Sequence, residues 1–415
     1  MSAAVHAEPE GLDVALIRRD FPALAQTVND KPLVYLDSGA SAHKPQAVID
    51  AVGRFYSRDY SNVHRGVHVL SQRATEAFEH ARTTLARFVN APDERGVIFT
   101  RGTTEGINLV AQSWGRANLG PGDEVVISEM EHHSGIVPWQ LACEATGASL
   151  VVMRMDDRGA LPDAELVAKI GPRAKIVSVT HIANALGTIN PIARIVALAH
   201  AQGALVLVDG AQAAPHLPID VQALGCDFYA FSGHKMYGPT GIGVLWGRYE
   251  LLAAMPPWHG GGDMIKRVSF EGTTYAEPPA RFEAGTPHIA GAVGMGAAAE
   301  YLMGLGLERV AAWDRALLDY GHAALAQIPG LRLTGTAPDK ASILAFTIDG
   351  VHPHDLGTLL DMDGVAVRVG HHCAQPVMER FGVSATTRAS LGVYNTREDI
   401  DRLIAAIRKA LSLLR

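Results

Sequence analysis

The chain has 415 residues, is 48% hydrophobic and carries a formal net charge of -7, which is enough apolar content for a large core spread over two domains. The negative charge argues against nucleic acid or an anionic membrane surface as the main partner. The most apolar stretch, 195–214, is interrupted by polar residues, so no membrane helix is predicted. Residues 1–13 lack the basic and apolar order of a secretory signal, and three scattered cysteines favour a reducing cytoplasm.

Seven short apolar runs alternate with helical patterns through the first two thirds of the chain. The runs are continuously apolar rather than alternating, which indicates strands covered on both faces, as in a mostly parallel α/β sheet. Between the fourth and fifth runs, 191–203 is predicted to be a crossover helix opened by a proline and closed by a glycine. The seven runs are 97–100, 125–128, 150–153, 176–180, 205–208, 228–231 and 242–246.

The pattern changes after residue 296 and predicts a second, smaller α+β domain over 297–415. Residues 31–296 then form the large α/β domain, and residues 1–30 form an N-terminal segment that packs with the small one. Residues 260–287 are rich in glycine, proline and charge, and are predicted to form a long functional loop or hairpin. The elements predicted in the small domain are helices at 297–328 and 354–362, strands at 342–348 and 365–369, and a final helix from 397.

Lys235 follows the apolar run 228–231 and precedes glycines, so we expect its amine at an edge of the sheet. Asp209 directly follows the preceding run, 205–208, and is expected at the end of a neighbouring strand. A lysine that can form an imine, with a carboxylate that can hold a pyridinium proton, is the minimal equipment for pyridoxal phosphate chemistry.

A phosphate site is predicted at 102–106, Gly-Thr-Thr-Glu-Gly, between the first strand and a helical run. Free N–H groups at a helix start, beside the hydroxyls of Thr103 and Thr104, suit a phosphate. Ser232 and His234, which flank the lysine, could complete the site. The alternative is an ordinary helix cap, in which one threonine hydroxyl satisfies its own helix.

Polar residues near three other strand ends are candidates for holding a flat ring. His132 and His133 follow the run 125–128, and one of them could lie against the ring and move protons. The other interpretation, favoured for His133, is a histidine that only hydrogen-bonds the backbone. Asn184 and Gln212 are candidates for hydrogen bonds to a ring oxygen, and are equally compatible with structural roles.

Cys373 follows a predicted strand of the second domain. His371, His372 and Arg368 lie close to it in sequence and could favour its nucleophilic thiolate. A competing interpretation is a zinc site drawn from Cys373 and the histidines at 352–372, but the spacings match no closed structural zinc pattern.

Residue type and sequence context predict roles for Cys143, Cys226 and Arg388. Cys143 and Cys226 are predicted to be buried as small hydrophobes. Arg388 could bind a substrate carboxylate through its two-pronged guanidinium, or it could make a surface ion pair.

Seven ordered motifs resemble those of group II cysteine desulfurases of the SufS type. These belong to the class V aminotransferase superfamily, with pyridoxal phosphate (PLP) fold type I, and the resemblance extends from about residue 21 to the C-terminus. The motifs are Arg-Gly-Thr-Thr-Glu-Gly at 101–106, Glu-His-His at 131–133, Val-Asp-Gly-Ala-Gln at 208–212, Ser-Gly-His-Lys-Met-Tyr-Gly-Pro at 232–239, Phe-Glu-Ala-Gly-Thr-Pro at 282–287, Gly-His-His-Cys-Ala-Gln-Pro at 370–376 and Arg-Ala-Ser-Leu at 388–391.

The resemblance implies a role for each matching residue. Lys235 would carry the cofactor imine and shuttle a proton, Asp209 would pair with the pyridine nitrogen, and His132 would stack on the ring. The remaining cofactor residues would be Thr103, Thr104, Asn184, Gln212, Ser232, His234 and, reaching across from the second subunit of a homodimer, Thr286. The substrate residues would be Arg388 and Asn184 at the carboxylate, with His64 and Arg368 lining the pocket.

The implied activity is conversion of L-cysteine to L-alanine, with a persulfide left on Cys373 and no metal of the chain's own. The sulfur would pass to a SufE-type acceptor or a zinc-bearing SufU-type acceptor for iron–sulfur cluster assembly. Residues 351–355, with His354, resemble the subset that works with the zinc-bearing acceptor. The alternative is that His354-Asp355 caps a helix at 356–362.

Two other functions stay open at this point. A selenocysteine lyase, or another class V aminotransferase-like enzyme, could share most of these motifs. A non-catalytic interaction protein is disfavoured because it needs neither Lys235 nor Asp209.

Overall fold

The structure is a computed structural model and describes residues 12–414, so the part of the predicted N-terminal segment at 1–11 lies outside the described residues. The strands in chain order are β1 Thr27–Val28, β2 Lys31–Pro32, β3 Val34–Tyr35, β4 Val97–Thr100, β5 Glu124–Ser128, β6 Ser149–Met153, β7 Ala174–Thr180, β8 Leu205–Asp209, β9 Phe228–Ser232, β10 Gly243–Gly247, β11 Ile265–Ser269, β12 Gly272–Tyr275, β13 Leu331–Thr334, β14 Ile343–Ile348, β15 Val365–Ala366, β16 Arg368–Gly370 and β17 Thr386–Ser390.

The helices surround these strands and are mostly short. They are α1 Val14–Arg19, α2 Gln46–Arg54, α3 Val69–Phe88, α4 Thr103–Val110, α5 Arg116–Asn118, α6 Val137–Thr146, α7 Asp163–Lys169, α8 Ile192–Ala201, α9 Val221–Leu224, α10 Tyr249–Ala254, α11 Ile289–Leu305, α12 Leu307–Leu325, α13 Pro353–Met362, α14 Gln375–Arg380 and α15 Arg397–Leu414. Within residues 12–414 no single helix is long and apolar enough to span a membrane; α11 and α12 meet that test only as a pair, which is bent by 75°.

The central sheet contains all seven predicted strands, in the order β4-β10-β9-β8-β7-β5-β6. Strands β5 to β9 are parallel to one another, whereas β10 is antiparallel to β4 and β9. Both faces are covered, since Val126 of β5 belongs to one apolar cluster and Val125 and Ile127 belong to another. The predicted α/β class is therefore confirmed, and the carboxyl ends of β5, β7, β8 and β9 meet at one edge, where open sheets of this kind bind ligands.

The C-terminal part of the chain forms a second sheet, which is antiparallel and ordered β13-β14-β17-β16. Its core draws on α12, α13 and α15 and also includes Val14, Val34 and Leu36 from the N-terminal part. Strand β3 pairs with β15, so residues 34–35, which the sequence placed in the large domain, extend the small domain's side of the molecule. Arg18 and Asp399 form an ion pair at 3.0 Å that further ties the described part of the N-terminal segment to α15.

Three predicted segments, 297–328, 365–369 and 260–287, each contain more than one helix or strand. The helix-rich stretch predicted at 297–328 contains the end of α11 and all of α12, which are separated at Gly306, whose φ of 82° favours glycine and ends α11. The strand predicted at 365–369 is two short strands, β15 and β16. The segment 260–287, predicted to be a long loop or hairpin, contains the hairpin β11–β12. The predicted boundary at residue 296 falls inside α11, which packs against α2 and α3.

Candidate active site

A cavity of about 180 Å³ lies at the carboxyl edge of the central sheet, and residues 368–388 of the C-terminal part line its other side. Residues from both domains form its wall, although they are far apart in sequence. The predicted site residues that line it are Thr103, Thr104, His132, Asn184, Asp209, Gln212, Ser232, His234, Lys235, Arg368, Cys373 and Arg388.

Lys235 ends a short 3-10 turn, Gly233–Lys235, directly after β9. The turn is held at its start, where the Gly233 N–H donates to the Ile242 carbonyl at 2.9 Å. Burial lowers the pKa of Lys235 to about 8, against the opposing effect of Asp209. A substantial fraction of this amine is therefore neutral near pH 8, and the neutral form is the one that attacks a carbonyl.

Asp209 ends β8 beside this turn and is buried. Burial raises its pKa, while the N–H of Ala211, 2.9 Å from Oδ1, and the Lys235 ammonium both favour the carboxylate. The adjoining Glu131 was missed by sequence reasoning. Its carboxyl accepts from Ser128 and from the Thr180 N–H at 3.0 Å, and burial raises its pKa to about 8.

The start of α4 forms the other end of the cavity. Gly102 is the N-cap residue, and no side chain caps the helix, so the alternative of a threonine hydroxyl capping its own helix is not what the structure shows. Instead, the hydroxyl of Ser232 accepts from the Thr103 N–H at 2.8 Å and bonds the Thr103 hydroxyl at the same distance. Because the first N–H groups of a helix have no acceptor within the helix, this end suits an anion.

His132 caps the 3-10 turn His133–Gly135 at the end of β5. Its Nδ1 accepts from the Ser134 N–H at 3.1 Å and from the Ser134 hydroxyl at 2.7 Å, so the proton of the neutral ring sits on Nε2. Burial, aided by Lys235, lowers the pKa of His132 to about 3, which keeps the ring neutral. His133 does not line the cavity and instead hydrogen-bonds backbone groups, in agreement with the sequence interpretation.

Cys373 lies between β16 and α14 and is partly exposed, whereas Cys143 and Cys226 are buried as predicted. The loop reaches the large domain at Asn184, whose Nδ2 donates to the His372 carbonyl at 2.6 Å. The His372 ring bonds the Thr386 hydroxyl at 2.8 Å, which holds the other side of the loop. The thiol therefore stands at the mouth of the same cavity that Lys235 lines.

Arg388 is buried, with 1% of its surface exposed, so it is not a surface ion pair. Its Nη1 donates to the Asn184 carbonyl at 2.8 Å, and its Nη2 lies 3.4 Å from the carboxylate of Asp37. Burial lowers the pKa of Arg388 to about 10, while Asp37 raises it. Arg368 lies 3.8 Å from the same carboxylate. Sequence reasoning missed Asp37, and its only sequence signal is its place two residues after the short strand β3.

The predicted site residues His64, Thr286 and His354 lie outside this cavity. His64 bonds Glu79 at 2.8 Å and lines a separate cavity of about 320 Å³ together with Gly285 and Pro287, the neighbours of the exposed Thr286. His64 does not line the pocket of its own chain, because contacts with Thr75 and Glu79 of α3 hold it elsewhere, and its place in a substrate pocket stays a prediction.

His354 is exposed in the first turn of α13, also outside the cavity. The cap of that helix is His352, whose Nδ1 accepts from the His354 N–H, and not the His354-Asp355 pair that the sequence favoured as the alternative. Over residues 12–414 no group of three or more histidine, cysteine or acidic side chains is arranged to hold a metal ion.

Several buried polar atoms around the cavity have no hydrogen-bond partner among the described residues. They include Asn184 Oδ1, His372 Nδ1 and Arg388 Nε. Buried polar groups are normally satisfied, so these atoms indicate a polar ligand or water. With an anion site at α4, a carboxylate at Asp209 and an amine at Lys235, the wall fits a flat, phosphorylated carbonyl compound with a basic ring nitrogen, which is the chemistry of PLP.

The fold and this wall define a class of enzymes built on a mostly parallel sheet with a reactive lysine at its edge. The family model for aminotransferase class-V matches residues 34–403. A cysteine desulfurase of Dickeya dadantii is 53% identical over 96% of this chain and 97% of its own length. The chain belongs to the class V aminotransferase family, and its resemblance to cysteine desulfurases is confirmed.

Other relatives agree with this placement. A probable cysteine desulfurase of Mycolicibacterium paratuberculosis is 53% identical over 97% of this chain. The chain spans 59% of the length of that relative, and 66% and 65% of two others, from Mycobacterium leprae and Synechococcus elongatus. Among solved structures, the cysteine desulfurase CsdA of Escherichia coli has a TM-score of 0.91 and 45% identity, covering 98% of this chain and 100% of its own.

Proposed function

We propose that this chain is a PLP-dependent cysteine desulfurase that converts L-cysteine to L-alanine and leaves the sulfur as a persulfide on Cys373. The observation that carries the proposal is that the Lys235 amine and the Cys373 thiol line one cavity, although they come from different domains. The family match and the names of the relatives support the same activity.

PLP supplies an electron sink that stabilises negative charge at the substrate Cα. Thr103, Thr104, Ser232 and His234 would hold its phosphate, with Gln212 and Asn184 near the ring. Asp209 would keep the ring nitrogen protonated, and the neutral ring of His132 would lie against the ring face. The Lys235 amine would take the proton from the substrate Cα and would give a proton back to that carbon before alanine leaves.

The sulfur step belongs to Cys373. Its thiolate attacks the sulfur of the bound cysteine, a new S–S bond forms, and the Cβ–S electron pair stays on the substrate carbon. That carbon then takes a proton, and alanine leaves. Arg388 anchors the substrate carboxylate, with Arg368 at the pocket entrance and Asp37 fixing both guanidinium groups.

A turnover assay with mass analysis tests this function. Purified protein with PLP should release alanine and sulfide from cysteine in the presence of a thiol reductant. Cys373 should gain about 32 mass units, the mass of one sulfur atom. Turnover of selenocysteine without any turnover of cysteine would instead support the alternative, a selenocysteine lyase. An aminotransferase-like relative would transfer the amino group and leave Cys373 unmodified.

Arg388→Lys should raise KM for cysteine about 10- to 100-fold, because a lysine cannot reproduce the two-pronged, charge-assisted contact worth about 1.5–3 kcal/mol. The value of kcat should change far less. Steady-state kinetics checks this, with Arg332→Lys, an exposed arginine on β13, as the matched control. An unchanged KM in Arg388→Lys would remove Arg388 from the carboxylate site.

The acceptor is proposed to be a zinc-bearing SufU-type protein, with a SufE-type protein as the alternative, in iron–sulfur cluster assembly in the cytoplasm. The support is the exposed His354 at the start of α13. His354→Ala should keep the basal rate but lose about 10-fold or more of the stimulation by a zinc-bearing acceptor. His80→Ala, another exposed histidine, is the control, and equal stimulation of both variants would argue against a role for His354.

We also propose a homodimer, in which Thr286 and His64 serve the partner's site. The support is that His64 lines a cavity together with Gly285 and Pro287, the two neighbours of Thr286, and that neither His64 nor Thr286 lines the site of its own chain. The division into an N-terminal segment at 1–30, a PLP-binding domain at 31–296 and a small domain at 297–415 is kept as a proposal, with α11 crossing its second boundary.

A further inference from the structure

The loop that carries Cys373 has an unusual backbone. His372 and Cys373 adopt φ values of 54° and 55°, in the left-handed region that costs residues with a side chain. Such a conformation persists only where the surrounding structure holds it, and it is typical of functional sites. The contacts that hold this loop therefore decide where the thiol stands.

His133 makes two of those contacts. Its N–H donates to the Cys373 carbonyl at 2.8 Å, and its ring Nε2 accepts from the Gln375 N–H at 3.2 Å. The two bonds flank Ala374 and hold the backbone that directly follows the thiol side chain. His133 opens the 3-10 turn His133–Gly135, and residues 129–132 connect that turn to the end of β5 in the central sheet.

We propose that His133 is a positioning residue that pins the Cys373 loop of the small domain to the edge of the large-domain sheet, through an unprotonated ring nitrogen. Cys373 keeps its chemical role, and His133 fixes where the thiol stands. The effect on turnover rests on the proposed desulfurase function, whereas the effect on the loop does not.

The hydrogen bond from the Gln375 N–H to the His133 ring depends on the charge of that ring. A histidine accepts at Nε2 only while that nitrogen carries no proton, so the neutral ring must hold its proton on Nδ1. The titratable groups that face the ring are His132, with ring centroids 6.2 Å apart, His371, at 5.6 Å, and Cys373 through its carbonyl. Burial, and then the His371 ring, lower the pKa of His133 below its usual value.

The sign of the pH effect follows from that shift. The folded pKa is depressed, so the pinned loop is fully favoured above the usual histidine pKa of about 6.5. As the pH falls through the lowered value, protonation removes the acceptor from Gln375 and the loop loosens. A glutamine at 133 offers an amide oxygen near the position of Nε2 and does not titrate.

Alkylation of Cys373 by iodoacetamide, followed on the holoenzyme by peptide mass, measures how freely the loop moves. His133→Leu should be alkylated about 2- to 10-fold faster at neutral pH, the range that one neutral hydrogen bond produces. His133→Gln should match the wild type there. The alkylation rate of the wild type divided by that of His133→Gln should rise as the pH falls from about 8 to about 5. A ratio is used because the pH dependence of the thiol itself is common to both proteins.

Two variants at Gln375 address the same bond from its donor side. Gln375→Ala keeps the backbone N–H and should behave as wild type, since the side chain is exposed. Gln375→Pro removes the N–H at the first position of α14, where proline is tolerated, and should raise alkylation as His133→Leu does. The double variant His133→Leu with Gln375→Pro should be no faster than either single variant.

Turnover gives a second readout. His133→Leu should lower kcat for cysteine and leave KM unchanged, because the loop positions the nucleophile and not the substrate. Equal alkylation of wild type and both loosened variants, or a His133→Gln protein as fast as His133→Leu, or a flat rate ratio across pH, would each overturn the proposal. The alkylation pattern does not require sulfur release, so a protein that shows it without desulfurase activity would contradict only the proposed function.

Discussion

Lys235→Ala should lose turnover of cysteine by about 10²–10⁴-fold or more, the range expected for removing a positioned acid–base group. The amine stands at the end of β9 in the cavity, and its lowered pKa makes it both a nucleophile toward the cofactor carbonyl and a proton carrier. The purified variant should also lose the yellow colour that a lysine–PLP imine gives. Absorbance spectra and steady-state rates measure the two effects.

Lys340 is the matched control for that variant. Its amine is also buried, donates to the Gly335 carbonyl, and has a pKa lowered by burial to about 7. It lies outside the cavity, so Lys340→Met should keep colour and turnover. If Lys235→Ala were to turn over cysteine at the rate of Lys340→Met, the assignment of Lys235 would fail.

Cys373→Ser should keep the colour and cofactor content but lose persulfide formation, with cysteine turnover down about 100-fold or more, since neither of the other two cysteines lines the cavity. Serine is close to cysteine in size and places the same demand on the backbone at the left-handed φ of residue 373. The loop should therefore keep its conformation. Selenocysteine turnover should fall much less, because selenium leaves carbon more readily.

Mass analysis after incubation with cysteine separates the steps of this prediction. Wild type and Cys143→Ala, which changes a buried cysteine on α6, should both carry the added sulfur on Cys373. Sulfur release by Cys373→Ser at the wild-type rate would assign the attack to another group.

The strands of the large domain were predictable because continuous apolar runs mark strands covered on both faces. Predicted and observed bounds differ by two residues at most, as for 176–180 against Ala174–Thr180. The direction of β10 was not predicted, although the connection from β9 is too short for a crossover and requires an antiparallel neighbour. The sequence predicted a helix-rich stretch at 297–328 without locating the break at Gly306, because the flanking residues on both sides favour helix.

Site residues at strand ends were predictable for a related reason, since parallel strands bring their carboxyl ends to one edge. Asp209 and Lys235 meet there because β8 and β9 are neighbours. Asp37 was not found, because its importance comes from a contact with Arg388 across 351 residues of sequence. Glu131 was read only as part of a motif, since its significance comes from complete burial.

Asn184 connects two parts of the site that otherwise belong to separate tasks. Its carbonyl accepts from Arg388, the proposed anchor for the substrate, and its side-chain amide donates to the loop beside the thiol. In the proposed function, one residue therefore holds both the substrate anchor, through its backbone, and the loop that accepts sulfur, through its side chain. A substitution at this position would keep the backbone carbonyl and lose the amide, so protein engineering there would act on the thiol loop and leave the Arg388 contact in place.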